Sequence, residues 1–233
     1  MDYKHLSKRL HKVGELVPTN AKVADIGSDH AYLPAYLVLN KKITAAIAGE
    51  VVDGPFLSAK NLVAEINLTK EIDVRKGDGL AVLSPIDEVT TITICGMGGA
   101  LIRDILDRGL HGGHLTGKER LILQPNVGEP TLRTWLMNHQ YNIISEEIIR
   151  ENDKTYEIIV AEKASDIVPL SEKELLFGPY LLEEKSEVFL NKWAHEKQQF
   201  ENILRQLEKS TKDVDNKKAE TKRKISYIEE VLN

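Results

Sequence analysis

Apolar residues fall along this chain in two rhythms. Short β-branched and alanine-rich runs, in KVADI at 22–26, ITAAIAG at 43–49, EIDVRKGDG at 71–79, TTITICGMGG at 90–99 and RLILQPN at 120–126, read as strands. Between them lie segments of helical period, from about Ala31 to Leu39, Pro55 to Leu68, from after GMGG to about Leu110, and Glu129 to His139. Pro34 and Pro55 stand near first turns, where a missing N–H costs little. Ahead of the first strand, residues 2–17 predict a helix with Leu6, Leu10, Val13 and Val17 on one face and Lys4, Lys8, Arg9, His11 and Lys12 mostly on the other. Strands alternating with helices predict a mostly parallel sheet covered on both sides. The last two strands break the rhythm. YNIISEEIIREN and KTYEIIVAEK are joined by an Asn152-Asp153 turn too short for a parallel crossover, which predicts an antiparallel hairpin. The fold class is therefore α/β, a Rossmann-like sheet of the class I methyltransferase kind with a terminal antiparallel hairpin.

After Pro169 the pattern changes. Ser171 with Glu174 reads as a capping box, and from about Pro179 the chain is almost all helix former. Phe189, Trp193, Phe200, Leu204 and Leu207 make a narrow apolar seam, Ser210 to Asp213 breaks it, and a second helix carries Ile225, Ile228 and Val231 or Leu232 on one side. The prediction is a helical hairpin, a two-helix coiled coil. The alternative, one continuous exposed helix, would suit the seam-poor segment VDNKKAETKRK. The expected division is 1–168 for the sheet domain and 169–233 for the coiled coil.

Composition adds exclusions. The 233 residues, 42% hydrophobic, suffice for the core of one domain and an extension. The single cysteine, Cys95, rules out an intramolecular disulfide, and the charged N-terminus does not resemble a secretory signal, so a cytoplasmic location is expected. No run reaches the roughly 18 apolar residues of a membrane span. A net charge of -5 argues against a nucleic-acid partner unless a local basic patch exists.

The turn after the first strand carries the chemistry. A pyrophosphate site wants G-x-G-x-x-G, yet from Gly27 the chain reads G-S-D-H-A-Y. A nicotinamide dinucleotide is therefore disfavoured. S-adenosylmethionine has no phosphate; it needs one tight turn for its amino-acid end and carboxylates for its ribose hydroxyls and adenine amine. Glu50 ends the second strand and Asp78-Gly79 follows the third. Each alone has a plain reading, a helix-cap neighbour for Glu50 and a turn for Asp78-Gly79.

VADIGSDHAYLP at 23–34, AGEVVDGP at 48–55, KGDGL at 76–80, ICGMGG at 94–99, LQPN at 123–126 and the YEIIVAEK strand together resemble the bacterial tRNA adenine-22 N1-methyltransferases, over essentially the whole chain. The resemblance implies methyl transfer from S-adenosylmethionine to N1 of an adenine in the D-arm region of tRNA. It implies a cofactor site at Asp25, Gly27, Ser28, Glu50, Asp78, Gly79, Gly96 and Met97, no metal, and tRNA as partner of a monomer or weak homodimer.

Adenine N1 is already nucleophilic toward a sulfonium methyl, so positioning should dominate. A carboxylate near the exocyclic amine would stabilise the positive charge that develops. Asp29 is the candidate, with His30 orienting it or touching RNA; alternatively Asp29 caps the helix near Ala31 and His30 is an exposed turn residue. GMGG stands where amino-methyltransferases carry an acidic residue or Asn, Pro-Pro and an aromatic, which agrees with a ring-nitrogen target. Gln124, Pro125 and Asn126 are expected to line the same cleft. Lys4, Lys8, Arg9 and Lys12 are expected to meet the RNA, with a second basic group at Arg103, Arg108, Lys118 and Arg120; the plain reading of each is a solvated face. His111 and His114 lack partners for a metal site. The coiled coil would clamp tRNA through Lys192, Lys217, Lys218, Lys222 and Arg223, or mediate dimerisation. Methylation of another RNA site or a small molecule is the alternative activity, and an interaction protein without activity the alternative class.

Overall fold

The computed structural model describes residues 2–209 and 214–233, so the break expected at Ser210 to Asp213 lies outside the described residues. The chain divides into two compact units, Met1–Leu170 and Ser171–Asn233.

The first unit holds strands β1 (Ala21–Ile26), β2 (Ile43–Glu50), β3 (Ile72–Lys76), β4 (Thr91–Gly98), β5 (Arg120–Val127), β6 (Tyr141–Glu151) and β7 (Lys154–Lys163). They form one sheet in the order β3-β2-β1-β4-β5-β7-β6. The first five are parallel, while β7 runs antiparallel to both β5 and β6. Asn152 and Asp153 both take positive φ, 49° and 61°, the backbone of a two-residue hairpin turn whose twist matches its strands. The α/β class and its terminal hairpin are as the hydrophobic pattern predicts.

Strand alternation sends side chains to two cores. Ala24, Ile26, Ile92, Ile94, Leu121 and Leu123 pack under α4 (Gly99–His111) and α5 (Glu129–Asn138). Val23, Ala46, Ala48, Ile122 and Ile158 pack under α1 (Lys8–Leu16), α2 (Tyr32–Leu39) and α3 (Asp53–Glu65). By the same alternation Asp25, Thr93 and Cys95 face the α1–α2 side at the strand ends.

Helix α1 is shorter than its pattern predicts. Asp2 accepts hydrogen bonds from the N–H groups of Lys4 (2.7 Å) and His5 (2.8 Å), a local turn that competes with helix. The helix starts after Ser7, whose hydroxyl accepts from Leu10 N–H, and Glu151 of β6 accepts from the N–H groups of Lys8 (2.6 Å) and Arg9 (3.4 Å). Those bonds satisfy donors the first turn leaves open and place a carboxylate at the positive end of the helix dipole. Beneath α5, the fully buried Arg133 pairs with Glu146 of β6 (2.8 Å) and Glu157 of β7, tying the hairpin to the helix layer.

In the second unit, Ser171 and Glu174 form a capping box at the start of α6 (Glu172–Phe177). The run from Pro179 is two helices, α7 (Pro179–Glu184) and α8 (Glu187–Glu208), because Lys185 turns left-handed (φ 48°) and Ser186 caps the new helix. Phe177 meets Trp193 edge-on at 4.5 Å. Helix α9 (Asp215–Leu232) runs back along α8, as Lys197 to Glu229 (2.8 Å) and Lys224 over the Phe200 ring (5.6 Å) show. The seam thins away from the aromatic cluster: Phe189 and Trp193 are buried, whereas Phe200, Leu204 and Leu207 are only partly so.

Candidate active site

The strand order reverses direction between β1 and β4, and in such sheets ligands sit at the carboxyl ends of the strands flanking the reversal. A cleft of about 330 Å³ occurs there, lined by Arg9, Asp25, Gly27, Ser28, Asp29, Glu50, Cys95, Gly96 and Met97 among others.

Its floor is the turn after β1. Gly27 has φ 72°, and Asp29, His30 and Ala31 follow with φ 40°, 68° and 56°. Left-handed backbone costs a non-glycine residue of order 1–3 kcal/mol, so three in succession require external support. The support is visible. Gly27 and Ser28 donate their N–H groups to the Gly49 carbonyl at 2.9 and 3.3 Å, Asp29 donates its N–H to the Glu50 carboxylate, and the Ala31 methyl is wholly buried.

This turn separates the two readings of Asp29. The N-cap position of α2 belongs to Ala31, and no side chain caps it. The Asp29 carboxylate instead projects at the cleft mouth, 70% exposed, 3.5 Å from His30 Nε2. The His30 ring stacks on Tyr32 at 5.2 Å, which fixes its direction.

Behind the turn, Asp25 is buried, its Oδ2 accepting from the Ser28 hydroxyl and its Oδ1 from the Thr93 hydroxyl, both at 2.6 Å. Burial raises the Asp25 carboxyl above its ordinary range, against the pull of those two hydrogen bonds. Glu50 is also buried and likewise raised by burial, with the negative charges of Asp25 and Asp29 adding to the effect. Cys95 lines the same space, but burial pushes its thiol far above the range in which a nucleophilic thiolate forms.

At the end of β4, Gly96 has φ 76° and donates its N–H to Gln124 Oε1 at 3.0 Å. Gln124 Nε2 donates to the Pro125 carbonyl (2.7 Å), and Asn126 Nδ2 to the Gly96 carbonyl (2.7 Å). Gln124 and Pro125 are buried and Asn126 is exposed, and the bonds of Gln124 and Asn126 to Gly96 hold the β4 turn. The Met97 methyl lies against Gly27: a Cβ on Gly27 would stand 2.1 Å from it.

The structure thus gathers Asp25, Gly27, Ser28, Asp29, Glu50, Gly96, Met97 and also Arg9 around one cleft. Asp78 and Gly79 are not among its lining. Asp78 pairs with Arg108 (3.1 Å), and a Cβ on Gly79 would meet Ile105 of α4. Lys4 and Lys8 are exposed, and Lys12 pairs with Glu15 (3.2 Å) and Glu147 (3.6 Å). Arg103, Arg108 and Arg120 are each paired with a carboxylate, at Asp104, Asp78 and Glu162. Among the described residues no group of three or more His, Cys, Asp or Glu could hold a metal ion.

The lining discriminates among cofactors. Three carboxylates repel a pyrophosphate but suit an ammonium and ribose hydroxyls, and the glycine turn admits close backbone approach. The residues present therefore fit S-adenosylmethionine.

Comparison with known proteins agrees. The family model TrmK, described as tRNA (adenine(22)-N(1))-methyltransferase, matches residues 23–230. The tRNA (adenine(22)-N(1))-methyltransferase of Bacillus subtilis (strain 168) is 48% identical over 235 residues, covering 98% of this chain and 97% of the relative. A crystal structure of Streptococcus pneumoniae Sp1610, a putative tRNA (m1A22) methyltransferase in complex with S-adenosyl-L-methionine, superposes with a TM-score of 0.89 at 44% identity, covering 98% of this chain and 100% of that one. M. capricolum TrmK in complex with S-adenosyl-homocysteine has a TM-score of 0.83 at 30% identity, covering 98% and 99%.

Proposed function

The chain belongs to the tRNA (adenine(22)-N(1))-methyltransferase family, and from that premise we propose that it methylates N1 of adenine 22 in tRNA with S-adenosylmethionine as methyl donor. The observation that supports this most directly is the strained turn that sets the exposed Asp29 carboxylate at the mouth of an otherwise buried acidic cleft.

When bound, S-adenosylmethionine supplies an electrophilic methyl on a sulfonium. The residues of this chain do the rest. Asp25 and Glu50 receive the ammonium and ribose hydroxyls, Gly27 and Ser28 supply the turn beneath the amino-acid end, and Gly96 with Met97 form the wall of the cleft. Asp29 faces the target base, where its charge favours the cationic N1-methyl product over neutral adenine, a stabilisation that grows toward the transition state. His30, stacked on Tyr32, keeps Asp29 directed outward. N1 lies on the pairing edge of adenine, so the base must leave any pair before it can react.

RNA is held outside the cleft. Exposed Lys4 and Lys8, with Lys12 beside them, begin the basic surface. The helical hairpin carries its own cations, Lys192, Lys217, Lys218, Lys222 and Arg223, which we read as a clamp on the tRNA body. We assign the protein to the cytoplasm as a monomer or weak homodimer; among the described residues no helix is long and apolar enough to cross a membrane.

The test is direct. Purified protein, cofactor and a tRNA transcript should give a primer-extension stop at nucleotide 22, and a transcript with guanosine at that position should give none. A stop elsewhere would assign another RNA site, and equal methylation of free adenosine nucleotides would assign a small-molecule activity.

A further inference from the structure

Exposed apolar side chains collect at the rim of the cleft on the side away from Glu50. Val127 is 67% exposed at the end of β5, Leu101 is 48% exposed in the first turn of α4, and Ala100 beside it is exposed too. They adjoin the cleft through β4, where Val127 pairs with Gly98 and the preceding Met97 lines the cleft. Scattered singly, such residues need no explanation, but a group at the mouth of a site marks a contact made in use. The backbone under them is fixed. A Cβ on Gly99 would stand 2.3 Å from the Gly128 carbonyl oxygen and 3.1 Å from that of Val127, so the start of α4 and the turn after β5 meet backbone to backbone. Asn126 ties the end of β5 to the Gly96 carbonyl at 2.7 Å. Beside them Gly98 opens onto free space, since a Cβ there would meet nothing within 4 Å.

Adenine N1 lies on the pairing edge, so the base has to leave its stack to react, and extrusion leaves an empty step between two apolar base faces. Proteins that hold such a step open fill it with an aliphatic or aromatic side chain. The charged groups of the cleft, Arg9, Asp25, Asp29 and Glu50, would have to give up polar partners to enter it, whereas the rim side chains gain by leaving water.

We propose that Leu101 and Val127 form an apolar wedge that fills the step vacated in the RNA stack when the target adenine turns into the cleft. The assignment rests on the methyltransferase reading above and adds positioning residues on its RNA side.

The test is single-turnover methylation by the full chain and its Leu101→Ala/Val127→Ala double variant on two tRNA transcripts, one with nucleotide 22 paired and one with an abasic residue opposite it. Melting curves confirm the fold, and Ile86→Ser, which alters a side chain 86% exposed ahead of β4 at the far end of the sheet, serves as control. The double variant should lose roughly 10- to 100-fold in rate on the paired transcript and no more than about threefold on the unpaired one, because extrusion costs least where pairing is already absent. The fluorescent base 2-aminopurine at position 22 should brighten on binding wild type and brighten less on binding the variant. Leu101→Met/Val127→Ile, which keeps the wedge, and the Ile86 control should match wild type on both transcripts. Equal losses on the two transcripts would overturn the proposal, as would no loss on either. Wild type that methylates neither transcript at nucleotide 22 would remove the reading on which the proposal rests.

Discussion

Asp29→Asn isolates the proposed catalytic charge, and the backbone explains why Asn is the variant to make. At φ 40°, residue 29 sits in left-handed space, which Asn tolerates nearly as well as Asp, whereas Ala would add about 1–2 kcal/mol of strain. Asn also keeps the N–H that donates to Glu50, so the turn is retained. The magnitude follows from where the carboxylate lies. Unit charges about 4 Å apart interact by about 1 kcal/mol in bulk water and about 4 kcal/mol at the effective dielectric of a protein surface, equivalent to about fivefold and about a thousandfold in rate. Asp29 is 70% exposed, but a bound base would cover it, which places the expected loss between these limits at roughly 30- to 100-fold. The assay is single-turnover methylation at saturating cofactor and tRNA, with cofactor affinity measured separately. Turnover within about twofold of wild type would refute a catalytic role for the carboxylate.

The remaining predictions concern the supports of that site. Arg133→Met deprives two buried carboxylates of their guanidinium, a loss of about 3–5 kcal/mol, and should lower the calorimetric melting temperature by roughly 6–20 °C; a loss under 2 °C would show that the triad is not needed. Burial raises Asp25, so the native state holds a proton there at pH values where the unfolded chain has released it, and this contribution to stability declines as pH rises above the ordinary carboxylate range near 4. Urea titrations over a pH series should therefore show Asp25→Asn gaining on wild type as pH increases, and the opposite slope would reverse the assignment. Removing residues 171–233 should weaken tRNA binding by roughly tenfold or more, as expected when several phosphate contacts go, while cofactor affinity stays within about twofold. Undiminished tRNA binding would end the clamp reading.

The parts of this molecule legible in its sequence are those that depend on period. The short apolar run around Val23, Ala24 and Ile26 predicts both the strand and its two covered faces, and the two-residue link at Asn152-Asp153 forces β7 to reverse. Breaks within strongly helical stretches were harder to read. Nothing in the composition from Pro179 onward announces the left-handed Lys185 that divides α7 from α8, and Asp2, four residues before Leu6, competes locally for backbone that the pattern assigns to α1. The turn at Asp29 to Ala31 was illegible for a different reason. Its backbone is imposed by partners distant in sequence, Glu50 and the Gly49 carbonyl, and by the burial of Ala31, so local propensity argues for a helix cap instead.

The period of α1 sets Arg9 apart from its neighbouring lysines. Lys8 and Lys12 stand four apart on α1 and share one face, while Lys4 lies in the turn before the helix; Lys4 and Lys8 are exposed. Arg9 is four residues before Val13, so it shares the face of a fully buried core residue rather than that of the lysines. A cation one turn before a core valine must either snorkel away or find an interior partner. Here the partner side is the end of β5 and the ring of Tyr156, because the first turn of α1 overhangs the carboxyl ends of the strands. The helix therefore sends its cations two ways: lysines outward toward solvent, where the proposed function places the RNA, and one arginine inward toward the cleft. On that division, salt should weaken tRNA binding steeply through the exposed lysines, whereas cofactor affinity, set within the cleft, should respond far less.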